Sequence, residues 1–226
     1  MLHVPVRPRI RALLLDFGNV IAPFSFDRFF ARVAHFSPFT ETALRFILFE
    51  SGLHARFERG EIGPAAFVAD IMHRFGLDET KIDYAMFARW RCDIFLPSDD
   101  LALDRLLSHV DRSRGNIGLV SNTDAIVYER MIHMHPIVHR HIPYEYRTLS
   151  HKVGAMKPDP AIFDDALGRL RVRANEALLV DDVSVNADAF RSMGGHAIVW
   201  NAQTATVGAL ETALEPYGIF QENAAT

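Results

Sequence analysis

Cysteine is nearly absent from this sequence: Cys92 is the only one among 226 residues. One cysteine cannot form a disulfide within the chain, so a disulfide-stabilised secreted fold is excluded and a reducing compartment is expected. We interpret Cys92 as a small apolar side chain in a core. No stretch approaches the ~18 apolar residues of a membrane-spanning helix. The run Ala12–Leu15 ends at Asp16, short of the ~7–15 residues of an export signal. These absences predict a cytoplasmic protein.

An excess of charge of either sign is also missing. Lysine and arginine number 24, aspartate and glutamate 28, and the formal net charge is −4. A nucleic acid or an anionic membrane binds a basic surface, so neither is expected as a partner. Apolar residues make up 49% and charged residues 23% of the chain, which is typical of a soluble globular protein. The length allows one large domain or two small ones.

The hydrophobic pattern divides the chain into two kinds of segment. Residues 22–97 carry apolar side chains at helical spacing, without a convincing strand. From residue 98 onward, short apolar runs alternate with helical patterns. Such alternation indicates a parallel sheet with right-handed crossovers. The sequence therefore predicts an α/β protein with an all-helical insert after its first strand.

Three predicted strands end in polar side chains, and a further polar residue opens a helix. These residues are Asp16, Ser121 with Asn122, Asp181 with Asp182, and Lys157. The carboxyl ends of parallel strands lie on one edge of a sheet, so residues far apart in sequence can converge there. A carboxylate nucleophile, hydroxyl and amide donors, a lysine and a further acidic pair are what metal-assisted phosphoryl transfer requires.

Each residue has a place in that chemistry. Asp16 is expected to attack phosphorus and form an aspartyl-phosphate. Asp182 and Asp16, with the carbonyl of Gly18, are expected to hold Mg²⁺, which prefers oxygen ligands. Ser121, the N–H groups near it and Lys157 are expected to hold the phosphate oxygens.

The order of these motifs resembles that of the haloacid dehalogenase (HAD) superfamily. The four segments that carry the resemblance are Asp16-Phe17-Gly18-Asn19-Val20, Val120-Ser121-Asn122-Thr123, Gly154-Ala155-Met156-Lys157-Pro158-Asp159-Pro160 and Val180-Asp181-Asp182-Val183-Ser184-Val185-Asn186. Each segment alone is a weak signal, but all four in this order are a strong one. The resemblance covers the whole chain. It implies a Rossmann-like, doubly wound parallel-sheet core of residues 1–21 and 98–226, with residues 22–97 as a helical cap domain.

The resemblance also implies a function. The first motif, together with Glu58-Arg59-Gly60-Glu61-Ile62 in the cap, is similar to that of small sugar-phosphate phosphatases, including glucose-1-phosphate phosphatases. By that likeness the protein is a Mg²⁺-dependent hydrolase of a small phosphorylated metabolite. We expect a monomer or a homodimer. Asp16 is then the nucleophile, Ser121 and Lys157 bind phosphate, and Asp182 binds Mg²⁺ with Asp181 assisting.

Other residues are expected to contact the substrate. Phe17, Gly18 and Asn122 adjoin the catalytic positions in the first two motifs. The polar cap side chains selected as substrate contacts are His54, Arg56 and Glu58. The stretch 56–62 is predicted to be a polar loop.

Gly18 marks a departure from the commoner motif. Most phosphatases of the superfamily carry an aspartate at this position, which protonates the leaving oxygen, and a glycine where this chain has Asn19. General acid catalysis contributes typically ~10²–10⁴-fold. Without that aspartate the leaving oxygen must depart unaided, or receive a proton from water or from a group in the cap. The nucleophile and the metal site do not depend on it.

Two other functions and one other metal site compete with this interpretation. A metal-independent 2-haloacid dehalogenase shares the fold and the nucleophile, although Asp181 and Asp182 argue against it. A non-catalytic binding or regulatory protein on the same scaffold is the second alternative. A histidine cluster is interpreted as a solvated or interface surface, with transition-metal binding as the alternative. Its members are His133, His135, His139 and His141.

Overall fold

The computed structural model describes residues 9–98 and 100–221. Its strands are β1 (Ala12–Leu15), β2 (Asn116–Ser121), β3 (Arg147–Leu149), β4 (Ala177–Asp181) and β5 (His196–Val199). Its α-helices are α1 (Asp27–Ala34), α2 (Glu41–Glu50), α3 (Leu53–Glu58), α4 (Pro64–Arg74), α5 (Tyr84–Cys92), α6 (Asp100–Ser108), α7 (Ala125–Met134), α8 (Ile137–His141), α9 (Ser150–Val153), α10 (Pro160–Leu170), α11 (Ser184–Ser192) and α12 (Val207–Leu214). Within these ranges no helix has the length and hydropathy needed to cross a membrane.

The five strands form one parallel sheet in the order β3-β2-β1-β4-β5. Strands are added on one side of β1 as far as β3, and then on the other side from β4. The side on which strands are added to the sheet thus changes between β1 and β4. Open α/β sheets bind ligands at this switch point. Leu15 is in register with Leu119 of β2 and with Val180 of β4, so these three strands end side by side. The predicted α/β, Rossmann-like fold is confirmed.

Both faces of the sheet are buried, as the near-continuous apolar strands require. In β1, Leu13 and Leu15 pack into one hydrophobic core, and Ala12 and Leu14 pack into the other. Burying one leucine side chain stabilises a fold by about 1.5–3 kcal/mol. A slip of β1 by one residue would move the side chains of each face to the other face. Packing on both faces therefore fixes the register of β1 and the position of Asp16, which follows it.

The insert between β1 and β2 begins with α1 to α5, whose aromatic core continues the first of these cores. Two connecting segments run antiparallel beside each other where the insert leaves and rejoins the sheet. The N–H of Ser25 donates to the carbonyl of Ile94, and that of Leu96 to Pro23, both at 2.8 Å. The division into a cap of residues 22–97 and a core stays a prediction. Its core ranges include residues 1–8, 99 and 222–226, which lie outside the described residues.

The predicted polar loop at 56–62 is wrong in its first half, because α3 continues through Glu58. Leu53 and Phe57, four residues apart, share one face of this helix and are both buried. The ring of Phe57 stacks on Phe67 of α4, with ring centroids 4.1 Å apart. This tertiary contact supplies the stabilisation that so short a helix lacks by itself.

Candidate active site

Three carboxylates meet where β1 and β4 end. Asp16 follows β1, Asp181 is the last residue of β4, and Asp182 comes next. Because Leu15 pairs with Val180, the two strands deliver these side chains at the same level. One carboxylate oxygen from each aspartate lies within 4.8 Å of the others. The sheet thus brings together the acidic residues selected from the sequence.

The ammonium group of Lys157 lies between two of these carboxylates. Its Nζ is 2.8 Å from Oδ1 of Asp16 and donates to Oδ2 of Asp181 at 2.7 Å, with the lysine side chain 1% exposed. Asn122 holds the backbone of this lysine on both sides. The Lys157 N–H donates to Oδ1 of Asn122 at 2.8 Å, and Nδ2 of Asn122 donates to the Lys157 carbonyl at 3.0 Å. Asn122 therefore fixes the position of the lysine.

Burial and the neighbouring charges together set the pKa values of these groups. Burial raises the pKa of Asp16, the Lys157 ammonium lowers it and the Asp181 carboxylate raises it, so that the pKa is raised on balance. Burial lowers the pKa of Lys157, but the two carboxylates outweigh this effect and raise it above its usual value. Lys157 is therefore cationic at neutral pH, beside the predicted nucleophile.

Asp181 and Asp182 have different surroundings. Asp181 is fully buried, and its Oδ1 accepts a hydrogen bond from Nδ2 of Asn186 at 3.0 Å. Asp182 is half-buried, and its Oδ2 accepts from Nδ2 of Asn19 at 2.9 Å and from Nδ2 of Asn201 at 3.4 Å. Burial raises the pKa of Asp182. Asp181 is oriented within the protein, whereas Asp182 lies nearer to solvent.

The donor set at this edge of the sheet fits Mg²⁺. Magnesium prefers carboxylate, carbonyl and water oxygens, and three carboxylates offer oxygens within 4.8 Å of one another. Lys157 compensates charge on Asp16 and Asp181, while Asp182 receives amide hydrogen bonds, which leave its charge in place. A cation beside Asp182 would therefore be favoured.

The loop after Asp16 brings backbone close to this carboxylate. The N–H of Phe17 donates to Oδ1 of Asp16 at 2.7 Å. The left-handed backbone conformation falls on Asn19, with φ of 55°, and not on Gly18. Glycine is needed at position 18 for space, because a Cβ there would lie 2.7 Å from Cε1 of Phe24. Position 18 has no room for an aspartate unless this ring moves.

A small cavity of about 80 Å³ adjoins the cluster. The loops of the core contribute Phe17, Gly18, Ser121 and Asn122 to its lining. The structure therefore brings these four predicted phosphate and substrate contacts to one place, with Ser121 buried at the end of β2. The insert covers the cavity, and its polar lining residues include Glu58 and Arg91.

The structure does not bring His54 and Arg56 to this cavity. Arg56 is exposed, and its Nε donates to Oε2 of Glu61 at 3.3 Å. His54 is buried against Phe26, and burial lowers its pKa to about 3. Its Nε2 lies 3.5 Å from Oε1 of Glu58, a contact that is not an ion pair at neutral pH. Residues four apart share a helix face, so Glu58 turns inward while Arg56 lies on another side of α3.

Arg91 in α5 is a cavity residue that sequence reasoning missed. Its Nη2 donates to Oδ2 of Asp124 at 2.9 Å, and the two side chains are 2% and 0% exposed. Its Nε and Nη1 have no hydrogen-bond partner among the described residues. The helix also carries Arg89, which is exposed. The sequence holds no signal that tells the two arginines apart.

The histidines between residues 133 and 141 do not form a metal site in the described part of the chain. Nδ1 of His133 lies 2.7 Å from a backbone carbonyl of its own helix. His135 is buried, with its Nδ1 3.3 Å from Oδ2 of Asp100. His141 is buried as well, with its Nε2 2.7 Å from Oδ1 of Asp104. The predicted solvated or interface surface is therefore wrong for His135 and His141, which are buried beside carboxylates of α6.

Comparison with known proteins finds similarity in structure alone. No family model matches the sequence, and no curated protein matches it. A HAD family enzyme from Bacteroides thetaiotaomicron, in complex with magnesium and inorganic phosphate, aligns with a TM-score of 0.76 and 22% identity over 89% of this chain and 98% of that chain. A predicted HAD-like family hydrolase from Porphyromonas gingivalis aligns with a TM-score of 0.76 and 18% identity, over 91% and 98% of the two chains. A 2-haloacid dehalogenase from Pseudomonas syringae pv. Tomato DC3000 aligns with a TM-score of 0.52 and 18% identity, over 87% and 89%.

The chain has the haloacid dehalogenase fold, as its motifs predict. The parallel sheet, the helical insert after β1 and the acidic residues at the switch point agree with that class. At these identities the likeness shows the fold, and the site residues carry the argument on function.

Proposed function

We propose that the protein is a Mg²⁺-dependent phosphatase that hydrolyses a small phosphorylated metabolite, a sugar phosphate by the likeness of its motifs. The observation that carries the proposal is the meeting of Asp16, Lys157 and Asp182 at one edge of the sheet. A nucleophile, a fixed cation and a candidate metal ligand are the groups that phosphoryl transfer uses. The Bacteroides enzyme of the same fold, solved with magnesium and inorganic phosphate, supports this ligand chemistry.

In the proposed reaction a carboxylate oxygen of Asp16 attacks the phosphorus of the substrate. A bond forms between this oxygen and phosphorus, and the bond to the leaving oxygen breaks with its electron pair staying on that oxygen. Water then attacks the phosphorus of the aspartyl-phosphate, which releases inorganic phosphate and restores the Asp16 carboxylate. Two easier displacements replace one difficult hydrolysis.

The neighbouring residues hold the charge that develops on the phosphoryl group. Lys157 places an ammonium group 2.8 Å from the nucleophilic carboxylate, and Ser121 offers a hydroxyl group at the end of β2. Asp16, Asp182 and the carbonyl of Gly18 would hold Mg²⁺, which when bound neutralises phosphoryl oxygens. Burial of Lys157 strengthens its electrostatic effect on phosphate relative to that of an exposed lysine.

The cavity supports a small substrate. Its volume of about 80 Å³ leaves room for a small leaving group under the insert. Glu58 and Arg91 add hydrogen-bonding groups to a largely apolar lining, and these groups can contact hydroxyl groups of a sugar.

A 2-haloacid dehalogenase is the second candidate function. Its support is the lack of a carboxylate at Gly18, together with the structural likeness to the Pseudomonas enzyme. The acidic group of Asp16, Asp181 and Asp182 favours the phosphatase, because dehalogenation at an aspartate nucleophile needs no cation.

One assay separates the two functions. The purified protein is given a panel of phosphorylated metabolites with Mg²⁺ or with a chelator, and 2-chloropropionate as a haloacid. Phosphate release that requires Mg²⁺ and is lost in Asp16→Asn supports the phosphatase. Asp188→Asn, which removes an exposed carboxylate paired with Arg191, is the matched control. Chloride release that is insensitive to the chelator would support the dehalogenase instead.

The remaining sequence predictions belong to this proposal. Cys92, the single cysteine from which a reducing compartment is predicted, is half-buried. Its Sγ donates to the carbonyl of Ile126 at 3.5 Å. Burial raises the pKa of Cys92 to about 11, which favours the thiol over the thiolate at neutral pH. The cytoplasmic location and a monomeric or homodimeric state stay predictions.

A further inference from the structure

Glu58 brings a carboxyl group to the cavity beside the nucleophile, and the steps above leave it without a role. It is the last residue of α3, and its side chain lines the cavity together with Gly18, Ser121 and Arg91. The side chain is 16% exposed. A poorly hydrated carboxyl group next to a reacting centre is a candidate acid or base.

The first motif supplies no proton for the leaving oxygen. The ring of Phe24 fills the space next to Gly18, so a side chain at that position would collide with it. Among the described residues that line the cavity, the carboxyl groups are those of Glu58 and Asp124. Asp124 is already engaged, since its Oδ1 accepts two backbone N–H groups of α7 and its Oδ2 accepts from Arg91. Glu58 is the carboxyl group that remains.

The surroundings of Glu58 favour its neutral form more than water does. Burial raises its pKa to about 7 against the effect of nearby cations. The charged groups that face it from other elements are Arg91, Asp124, Asp16 and Lys157. On its own helix His54 is neutral, because its pKa is lowered to about 3. At neutral pH the carboxyl group can therefore both give and take a proton.

We propose that Glu58 is the catalytic acid of the phosphatase reaction, an inference that rests on the function proposed above. Its carboxyl proton passes to the leaving oxygen as the bond to phosphorus breaks, so that an alcohol departs and Glu58 becomes a carboxylate. This carboxylate then takes a proton from the water that attacks phosphorus, which restores the acid. The Nε and Nη1 of Arg91, which have no partner among the described residues, can donate to oxygens of the leaving group or to the Glu58 carboxylate.

A series of phosphate esters with graded leaving-group pKa tests this role. An acid that donates a proton makes the rate nearly independent of the leaving group, so the parent enzyme should cleave alkyl and aryl esters at similar rates. Glu58→Gln should lower kcat/KM for an alkyl phosphate by about 10²–10⁴-fold. For 4-nitrophenyl phosphate, whose leaving group needs no proton, the loss in kcat/KM should stay within about tenfold. Glu61→Gln removes an exposed carboxylate of the same segment and should leave both rates unchanged.

The pH profile supplies a second measurement. Because the protonated form of Glu58 is the donor in the first step, kcat/KM on the alkyl ester should fall as the pH rises above about 7. Glu58→Gln should lose this limb, since its amide does not titrate. The aryl ester should show no such limb in either protein.

Three outcomes would overturn the inference. Equal losses in kcat/KM on alkyl and aryl esters in Glu58→Gln would assign Glu58 to packing or binding. A parent rate that falls steeply with leaving-group pKa would show that no acid acts, and this result does not depend on whether the variant folds. A parent that hydrolyses no phosphate ester with Mg²⁺ would overturn the phosphatase itself, whereas the first two results leave it standing.

Discussion

Arg91→Met should destabilise the protein strongly although no residue of the catalytic cluster is changed. The guanidinium donates to Asp124 at 2.9 Å, and both side chains are almost fully buried. Removing one partner of a buried ion pair costs about 3–5 kcal/mol, because the other charge is left buried without compensation. Asp124 keeps two backbone N–H donors, from Ile126 and Val127, so we expect the lower end, about 3 kcal/mol. For a chain of this size that corresponds to a Tm lower by about 6–12 °C.

Thermal and urea unfolding, followed by circular dichroism, measure this effect. Arg74→Met is the control, because Arg74 pairs with Asp70 at 2.7 Å on an exposed helix face, where such a pair contributes about 0.3–0.5 kcal/mol. Adding Asp124→Asn to Arg91→Met should recover part of the loss, since asparagine still caps α7 and no unpaired charge stays buried. An Arg91→Met variant as stable as the Arg74→Met control would refute the reasoning.

Three more predictions follow from the site. Asp16→Asn should reduce Mg²⁺-dependent phosphate release on the order of 10⁴-fold or more. Its unfolding curve should stay near that of the parent, because Lys157 keeps its ion pair with Asp181. Gly18→Ala should lower stability by about 1–3 kcal/mol through its collision with Phe24, and Phe24→Leu in the same chain should restore part of it in urea unfolding. Arg56→Ala should change KM by no more than about twofold in steady-state assays, because its side chain lies outside the cavity; a selective rise in KM would return it to the substrate site.

The residues that follow strands could be placed from the sequence. Asp16, Ser121 and Asp181 each come at the end of an apolar run, and parallel strands share one edge, so their meeting needs only the strand pattern and the parallel topology. Lys157 is selected from the sequence as a polar residue that opens a helix, and the structure places it between two of the aspartates. The left-handed backbone conformation of Asn19 depends on the geometry of the loop, which no periodic pattern describes.

The residues of the insert that reach the site could not be chosen in this way. His54, Arg56 and Glu58 stand within one short helix, and only its packing against the core decides that Glu58 faces the cavity while Arg56 faces solvent. Arg91 donates to Asp124, which lies 33 residues further along the chain. The sequence by itself determined that the chain forms a parallel sheet and which reactive residues follow its strands. Both follow from the hydrophobic period and from the shared direction of parallel strands. Tertiary structure alone decided which charged side chains are buried over the nucleophile, because that depends on how helices distant in sequence pack together.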